Sequence, residues 1–320
     1  MHPHEILEPE FACWNDLDPA GMVACSSGTA ALHLALECIG AKRHATITIP
    51  DFTMVACPRA AVMAELVIQE FVGCNRNLLM DPTLISMVPD IVMLVHIYGR
   101  KIEASEVLKA IGAFPFVVED LAEAHGIKPH PISSAACWSF YKNKIVHGEE
   151  GGAVWFKDPR AAARARQMRS LGFTDDHDFI HVPRGYNYRM SDAHAELILL
   201  SLRSADKNLR ARKMVEGWYD DVVPVEMKLP PRDVVWVYDL LLPEYADQNT
   251  VIKTLRSKGI EARHGFKPMS AQQEFLHIGG RTALTEKMSR RVIYLPVTPE
   301  MSRVKVEQIM HEMISLVYKK

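Results

Sequence analysis

The 320-residue sequence contains few cysteines, and they do not form a pattern typical of a metal site or a disulfide framework. A chain of this length builds its own hydrophobic core and needs no disulfide staples. We therefore expect reduced cysteines in the core and no metal site. The six cysteines stand singly in apolar surroundings, without a Cys-x-x-Cys pair: Cys13, Cys25, Cys38, Cys57, Cys74 and Cys137.

The sequence also lacks an excess of charge and any long apolar run. A net charge of −2 excludes the global basic field that attracts nucleic acid or anionic membranes. No apolar run approaches a membrane span, and residues 1–11 contain neither a signal core nor a lipidation motif. We expect a cytoplasmic protein that binds neither nucleic acid nor membrane. Four arginines are expected to form a solvated helix face: Arg160, Arg164, Arg166 and Arg169.

Apolar residues make up 48% of the chain, which predicts a sizeable core in one large domain or two domains. Short, β-branched-rich runs alternate with helical patterns at Ala30–Ile39, Thr53–Ala64 and Ala104–Ile111. This alternation predicts an α/β fold with a mostly parallel sheet between helices, where ligands bind at the carboxyl ends of strands. The predicted strands are Met22–Cys25, Ala45–Ile49, Leu66–Val72, Ile91–His96, Phe116–Glu119, Ala136–Phe140 and Ala153–Phe156.

The second half of the chain predicts a smaller C-terminal domain. The pattern is helical from Pro159 to Arg203, apart from a polar loop at Thr174–Arg184, and a charged helix follows at Ala205–Val222. A Pro-rich linker at 223–232 then predicts domains at 1–222 and 223–320. The predicted C-terminal elements are a strand (Val234–Leu242), a helix (Thr250–Lys258), a strand (Arg291–Leu295) and a final amphipathic helix (Val304–Tyr318).

Lys144 is a candidate nucleophile because it follows a buried strand and precedes a glycine-terminated turn. A lysine at a strand end can project into a cleft, where desolvation or a nearby cation supplies the neutral amine that attacks an aldehyde. From spacing alone, an ordinary loop lysine is the favoured interpretation.

Asp120 ends an apolar strand directly after Glu119, and a buried carboxylate needs a partner. A protonated pyridine nitrogen would be such a partner, and the pairing would preserve the electron-withdrawing ring of pyridoxal phosphate (PLP). The alternative is a helix N-cap, because Glu123 stands three residues later, as in a capping box.

The segment Ser27-Gly28-Thr29 passes from a strand into a helix. Free backbone N–H groups and the helix dipole form a phosphate cradle there, and Gly28 permits close approach. Simple N-capping is again the alternative.

Taken together, these motifs resemble the DegT/StrS-type sugar aminotransferases, a family of fold-type I PLP enzymes, over nearly the whole chain. The resemblance lies closest to the perosamine-synthase-like branch and implies a seven-stranded sheet with a smaller C-terminal α+β domain. It rests on Ser27–His33, Val95-His96-Ile97-Tyr98-Gly99, Glu119-Asp120, Ser139-Phe140 with Lys144, and Gly185–Met190.

The resemblance implies a role for each matching residue. Lys144, five residues after Ser139, would be the Schiff-base lysine rather than Lys142. Asp120 would hold the pyridine nitrogen, and Glu123 would lie beside the ring hydroxyl, where many members carry Gln. Gly28, Thr29 and Ser139 would bind the phosphate. Asn187 would reach the phosphate of a neighbouring subunit, which implies a homodimer with shared active sites.

Some positions depart from the family pattern and bear on the substrate. Met54 stands where the family usually places an aromatic that stacks on the cofactor ring, and His194 stands where Gln is common. The chain is also shorter than typical members. Because the net charge is slightly negative, an anionic sugar nucleotide needs local cations, and Arg184 and Arg263 are the candidates.

The implied reaction moves an amino group from glutamate to a nucleotide-linked keto sugar, at C-4 of a 4-keto-6-deoxyhexose. Two alternatives stay open: a same-fold PLP enzyme that acts at C-3 or on another ketone, and a PLP-binding sensor without turnover.

Overall fold

A computed structural model describes residues 2–113, 115–174, 179–280 and 282–318 and contains a seven-stranded sheet between helices. The strand order is β1-β7-β6-β5-β4-β2-β3, and only β7 runs antiparallel to its neighbours. The predicted α/β fold is confirmed. The strands are β1 (Met22–Cys25), β2 (Thr46–Pro50), β3 (Val67–Val72), β4 (Ile91–Val95), β5 (Phe116–Asp120), β6 (Ala135–Ser139) and β7 (Gly152–Phe156).

Both faces of the sheet are covered, which explains why the strands are continuous apolar runs. In β1, Val23 and Cys25 face one core, whereas Met22 and Ala24 face the other. The first core packs against α2 (Gly28–Cys38), α3 (Ala56–Met63) and α5 (Pro159–Arg169). The second core packs against α1 (Pro3–Trp14) and α6 (Asp192–Arg203), and α4 (Ala104–Ile111) covers the far edge.

Helix α3 begins at Ala56, three residues later than the predicted start at Thr53. Thr53 and Met54 therefore lie in the loop that follows the carboxyl end of β2. This loop borders the cleft described below, and it leaves the Met54 side chain half-exposed.

The expectation of a solvated arginine face is wrong for Arg166 and Arg169, because α1 packs against α5. Arg169 Nη1 lies 2.6 Å from a carboxylate oxygen of the buried Glu8, which also accepts the Ala24 amide at 3.0 Å. A buried carboxylate needs such partners. Arg160 and Arg164 are exposed, as expected.

The C-terminal region forms a core of its own, called here the smaller core, around a three-stranded antiparallel sheet of order β8-β10-β9. Val215 and Tyr219, in the C-terminal half of α7, belong to this core, so the smaller unit draws on residues before position 222. The domain boundary at that position stays a prediction. The elements are α7 (Ala205–Val222), β8 (Tyr238–Leu241), α8 (Gln248–Ser257), β9 (Arg263–His264), α9 (Ala283–Arg291), β10 (Val292–Leu295) and α10 (Arg303–Tyr318).

Buried polar contacts join the C-terminal region to the large sheet. Asp239 on β8 accepts hydrogen bonds from Arg100, which follows β4, and from Arg232, at 2.7 Å each. A second junction pairs the Asp51 carboxylate with the amide and hydroxyl of Ser270. These contacts place the smaller core over the carboxyl ends of β2 and β4.

The predicted polar loop at Thr174–Arg184 includes residues 175–178, which lie outside the described residues.

Within the described ranges, no helix combines the length and the apolar character that crossing a membrane requires.

Candidate active site

A cleft of about 370 Å³ lies at the carboxyl ends of the parallel strands. Residues of the C-terminal region close one side of it: Trp236, Arg263, Phe266 and Tyr294. The cleft brings together eight of the residues that the sequence predicted for the site: Gly28, Thr29, Met54, Asp120, Glu123, Ser139, Lys144 and Arg263.

Lys144 lies in a turn after β6, where its amide donates to the Tyr141 carbonyl at 2.8 Å. Its Nζ is 4.1 Å from the centre of the Trp236 ring. Desolvation lowers the pKa of Lys144, and the charges of Glu123 and Asp120 oppose that shift. This environment favours the neutral amine that attacks an aldehyde. Lys142 does not line the cleft, and its side chain is exposed.

Asp120 ends β5 with a buried carboxylate. Oδ1 accepts the Ala122 amide at 2.9 Å, and Oδ2 accepts the Cys57 thiol at 3.2 Å. Burial raises the pKa of the Cys57 thiol well above its ordinary value, so the thiol keeps the proton that it donates. The helix N-cap alternative for Asp120 is wrong, because residues 121–134 form turns and extended backbone.

Glu123 is buried three residues beyond Asp120 and accepts the Tyr98 amide at 2.9 Å. Burial raises the pKa of Glu123 to about 7, although the positive charge of Lys144 opposes the shift. Near neutral pH the carboxyl is thus partly protonated and can donate a hydrogen bond. Tyr98 adopts φ 51° and ψ 31°, a left-handed conformation that non-glycine residues seldom adopt.

The start of α2 provides a cradle beside Ser139. The Ser27 hydroxyl caps the helix by accepting the Ala30 amide at 3.1 Å, so the N-cap alternative holds for Ser27. The next residues, Gly28 and Thr29, line the cleft, and the first N–H groups of a helix have no partner within it. A Cβ on Gly28 would lie 2.7 Å from the Ser139 Cβ, so only glycine fits this close approach.

The donor set of the cleft fits PLP. Lys144 matches the aldehyde, Asp120 matches a protonated ring nitrogen, and Glu123 can lie beside the ring hydroxyl. The α2 N-terminus and Ser139 match a phosphate. Glycine at position 28 lets the start of α2 approach Ser139 closely, and any side chain there would collide with Ser139.

Three sequence-predicted residues deserve separate placement. Arg263 lines the cleft with a half-exposed side chain that pairs with Glu261. Asn187 bridges to Ser170 and does not line the cleft of its own chain. Arg184 lies away from the cleft and pairs with the Glu37 and Glu65 carboxylates at 2.8 Å each.

Those two carboxylates occupy the Arg184 guanidinium and lie outside the cleft, and sequence separation hid both of them. The structure of the single chain therefore gives Arg184 no contact with a substrate, and we leave it out of the proposed site.

Sequence reasoning missed the side of the cleft that the C-terminal region forms, and it missed the Glu119–His96 pair next to Asp120. Trp236, in the predicted strand from Val234, was visible only as a buried aromatic. Glu119 is buried, accepts from His96 Nε2 at 2.8 Å, and accepts the His130 amide at 2.7 Å. Burial alone would raise the pKa of Glu119, but its hydrogen bonds to His96 and neighbouring donors lower it below the ordinary value.

A family model described as the DegT/DnrJ/EryC1/StrS aminotransferase family matches residues 6–314. The chain belongs to this family. It is accordingly a PLP-dependent aminotransferase, and the residues of the cleft fit that cofactor.

Relatives of known name support this assignment. The chain is 30% identical over 279 residues to the GDP-perosamine synthase of Caulobacter vibrioides, a match that covers 80% of this chain and 74% of the relative. The GDP-perosamine synthase of Escherichia coli O157:H7 is 26% identical, with coverage of 94% and 86%.

Solved structures confirm the fold. Helicobacter pylori PseC, an aminotransferase of pseudaminic acid biosynthesis, superposes with a TM-score of 0.89 at 18% identity, covering 99% of this chain and 91% of that one. The DesV structure from S. venezuelae gives a TM-score of 0.86 at 22% identity, with coverage of 99% and 90%.

We predict that borohydride reduction of the PLP-loaded protein leaves the pyridoxyl label on Lys144, because among the described lysines only this one combines desolvation with a position in the cleft. Peptide mapping by mass spectrometry measures the site. The neighbouring Lys142 serves as the internal control, and a label on it would contradict the assignment.

We predict that Glu123→Gln changes the pH dependence of stability in the PLP-free protein. The folded-state pKa of Glu123, about 7, is raised above the unfolded value, so folding favours the protonated form. Its contribution is full below about pH 4.5 and is lost as pH rises through about 7. The variant should therefore match the wild type near pH 4.5 and exceed it at pH 8.5, by roughly 3 kcal/mol at most.

Thermal unfolding from pH 4.5 to 8.5 measures this difference. Glu149→Gln, at an exposed position in the same part of the fold, is the control and should leave the profile unchanged. A Glu123→Gln profile parallel to that of the wild type would show that Glu123 is already ionised in the folded protein.

Proposed function

We propose that this enzyme transfers an amino group from glutamate to a nucleotide-linked keto sugar, at C-4 of a 4-keto-6-deoxyhexose. The observation that carries the proposal is the assembly of Lys144, Asp120 and Glu123 in one cleft, in a chain that resembles GDP-perosamine synthases at up to 30% identity. The C-4 position rests on Glu123 and the neighbouring motif, which match that branch.

Asp120 supplies the fixed negative charge of the site. The Ala122 amide and the Cys57 thiol fix the plane of its carboxylate and leave further lone pairs for a cationic ring nitrogen. When bound, PLP supplies an electron sink for the carbon that loses or gains a proton. Asp120 maintains the protonated ring on which this chemistry depends.

Lys144 acts as the proton carrier. Lys144 would hold the aldehyde of bound PLP through Nζ, and as a free amine the same Nζ would accept the proton that the substrate carbon loses and later donate it again. The lowered pKa of Lys144 favours the neutral amine that accepts a proton. The Trp236 ring lies 4.1 Å from Nζ and restricts where the amine can move.

Residues of the C-terminal region that line the cleft orient the substrate. Arg263 presents a half-exposed guanidinium to the cleft and can bind a phosphate or carboxylate through paired donors. The aromatic rings of Trp236 and Tyr294 provide apolar surface beside it.

Other members of the similarity set keep the two alternatives testable. A dTDP-3-amino-3,4,6-trideoxy-alpha-D-glucose transaminase from Micromonospora megalomicea is 25% identical over 323 residues. The Saccharopolyspora erythraea protein EryC1, named as a sensory transduction protein, is 26% identical over 328 residues. The first name points to C-3 amination and the second to a regulatory role, each for the protein that carries it.

We predict that the purified enzyme, supplied with glutamate, aminates 4-keto-6-deoxy sugars linked to a nucleotide and does not aminate free keto acids other than the 2-oxoglutarate that glutamate itself yields. Mass spectrometry of a substrate panel with 3-keto and 4-keto isomers measures the product. Arg263→Lys should raise KM for the sugar nucleotide about tenfold and leave the glutamate half-reaction within about twofold, because lysine lacks paired donors. Amination of 3-keto isomers or free keto acids only would contradict the proposal.

We also propose a homodimer in which Asn187 completes the cleft of the partner. In its own chain Asn187 lies on a bridge to Ser170 and away from the cleft, although the motif around it matches a family segment that binds phosphate. Contact with a second chain resolves that mismatch. The flanking tyrosines, Tyr186 and Tyr188, stack on each other and contact His33, which fixes the segment against α2.

We predict that co-expressed Lys144→Ala and Asn187→Ala chains recover activity, because each mixed dimer would contain one intact site. Turnover of mixed dimers purified with two different affinity tags measures the recovery, and each parent homodimer is the control. Verified mixed dimers no more active than either parent would contradict shared sites.

A further inference from the structure

A second cavity, of about 300 Å³, adjoins the active-site cleft. The two cavities share Asn143, Lys144, Trp236, Arg263 and Tyr294, so a ligand can extend from one to the other. Both volumes lie at the lower end of the range for small-molecule sites. None of the site residues predicted from the sequence accounts for the remaining wall of the second cavity, which includes Lys142, His147, Asn208, Arg212 and Glu300.

Arg212, on α7, is the unusual member of that wall. It is 8% exposed, and its Nη1 donates to the carbonyls of Trp236 at 2.9 Å and Val297 at 2.6 Å. Its buried Nε has no hydrogen-bond partner among the residues that the structure describes. Within the described ranges it forms no ion pair, and Glu300 is the carboxylate whose charge acts on it.

Two other buried arginines show what is missing at Arg212. Arg100 and Arg232 are both paired with the Asp239 carboxylate. A buried guanidinium without a counter-charge is unfavourable, and desolvation lowers the pKa of Arg212 to about 10. An anion in the adjoining cavity would supply the missing charge.

The remaining charges of the wall also favour an anion. Lys142 contributes one more cation, whereas Arg263 and Glu261 form an ion pair with no net charge. Glu300 is exposed and opposes an anion only in part. Asn208 and His147 add polar groups that can donate hydrogen bonds.

We propose that the second cavity binds an oxyanion of the substrate, with Arg212 and Lys142 as its charge partners. The proposal rests on the proposed function, because the two substrates named there both carry an oxyanion remote from the reacting carbon. One source is the diphosphate of the sugar nucleotide, and the other is the distal carboxylate of the amino donor. Since both substrates react beside Lys144 in turn, one adjoining oxyanion site can serve either.

Isothermal titration of the PLP-loaded protein with inorganic pyrophosphate and, separately, with glutarate tests the proposal, since bound PLP already fills its own phosphate cradle. Arg212→Gln and Lys142→Gln are each expected to weaken binding about tenfold or more. Arg210→Gln, an exposed position on the same helix, is the matched control and should bind like the wild type. Binding of pyrophosphate alone identifies the diphosphate as the source, and binding of glutarate alone identifies the carboxylate.

Failure of both probes to bind the wild type, or equal binding by wild type and both variants, would overturn the proposal. Should Arg212→Gln not fold, because it removes bonds to two carbonyls, the exposed Lys142→Gln decides. Failure of the proposed function has a different signature. The anion would still bind in an Arg212-dependent manner while the substrate panel gave no aminated nucleotide sugar.

Discussion

The buried carboxylate of Asp120 is the constraint on which the rest of the site depends. It stands at the end of a central parallel strand with two hydrogen-bond donors from the protein, the Ala122 amide and the Cys57 thiol. A carboxylate in such a place is costly to bury unless a further positive partner completes its environment. We propose that the pyridine nitrogen of PLP is that partner, with Lys144, Glu123 and the phosphate cradle arranged in the same cleft to hold the rest of the cofactor.

Buried polar contacts hold the C-terminal region against the large sheet, where it closes one side of the cleft. Asp239 pairs with arginines from both cores, and Asp51 pairs with Ser270, so the carboxyl ends of β2 and β4 and the smaller sheet are joined by buried polar contacts. Breaking one partner of such a pair leaves an uncompensated buried charge. This junction keeps Trp236 next to Lys144 and Arg263 at the cleft.

Local pattern predicted the strands well, because a strand buried on both faces is a short apolar run with polar ends. All seven strands of the large sheet lie within about two residues of their predicted bounds. Lys144, Asp120 and Gly28 were predictable for a related reason: each lies at the carboxyl end of a strand or within about five residues of it, and parallel strands bring their carboxyl ends together.

Contacts between distant segments were not predictable from pattern. Glu8 pairs with Arg166 and Arg169, more than 150 positions away in the sequence. Two arginines expected on a solvated face are therefore partly buried ion-pair partners. Glu37 and Glu65 likewise occupy Arg184. The same reason hid Trp236 and Arg212, whose importance comes only from what the smaller core places beside them.

The most direct test of this account is Asp120→Asn, measured by stopped-flow absorbance of the bound cofactor in each half-reaction. Asparagine preserves shape but removes the negative charge that keeps the ring nitrogen protonated. The account predicts unchanged unfolding temperature and PLP binding, with both half-reactions at least about 100-fold slower. Near-wild-type rates in a folded, PLP-loaded variant would contradict it.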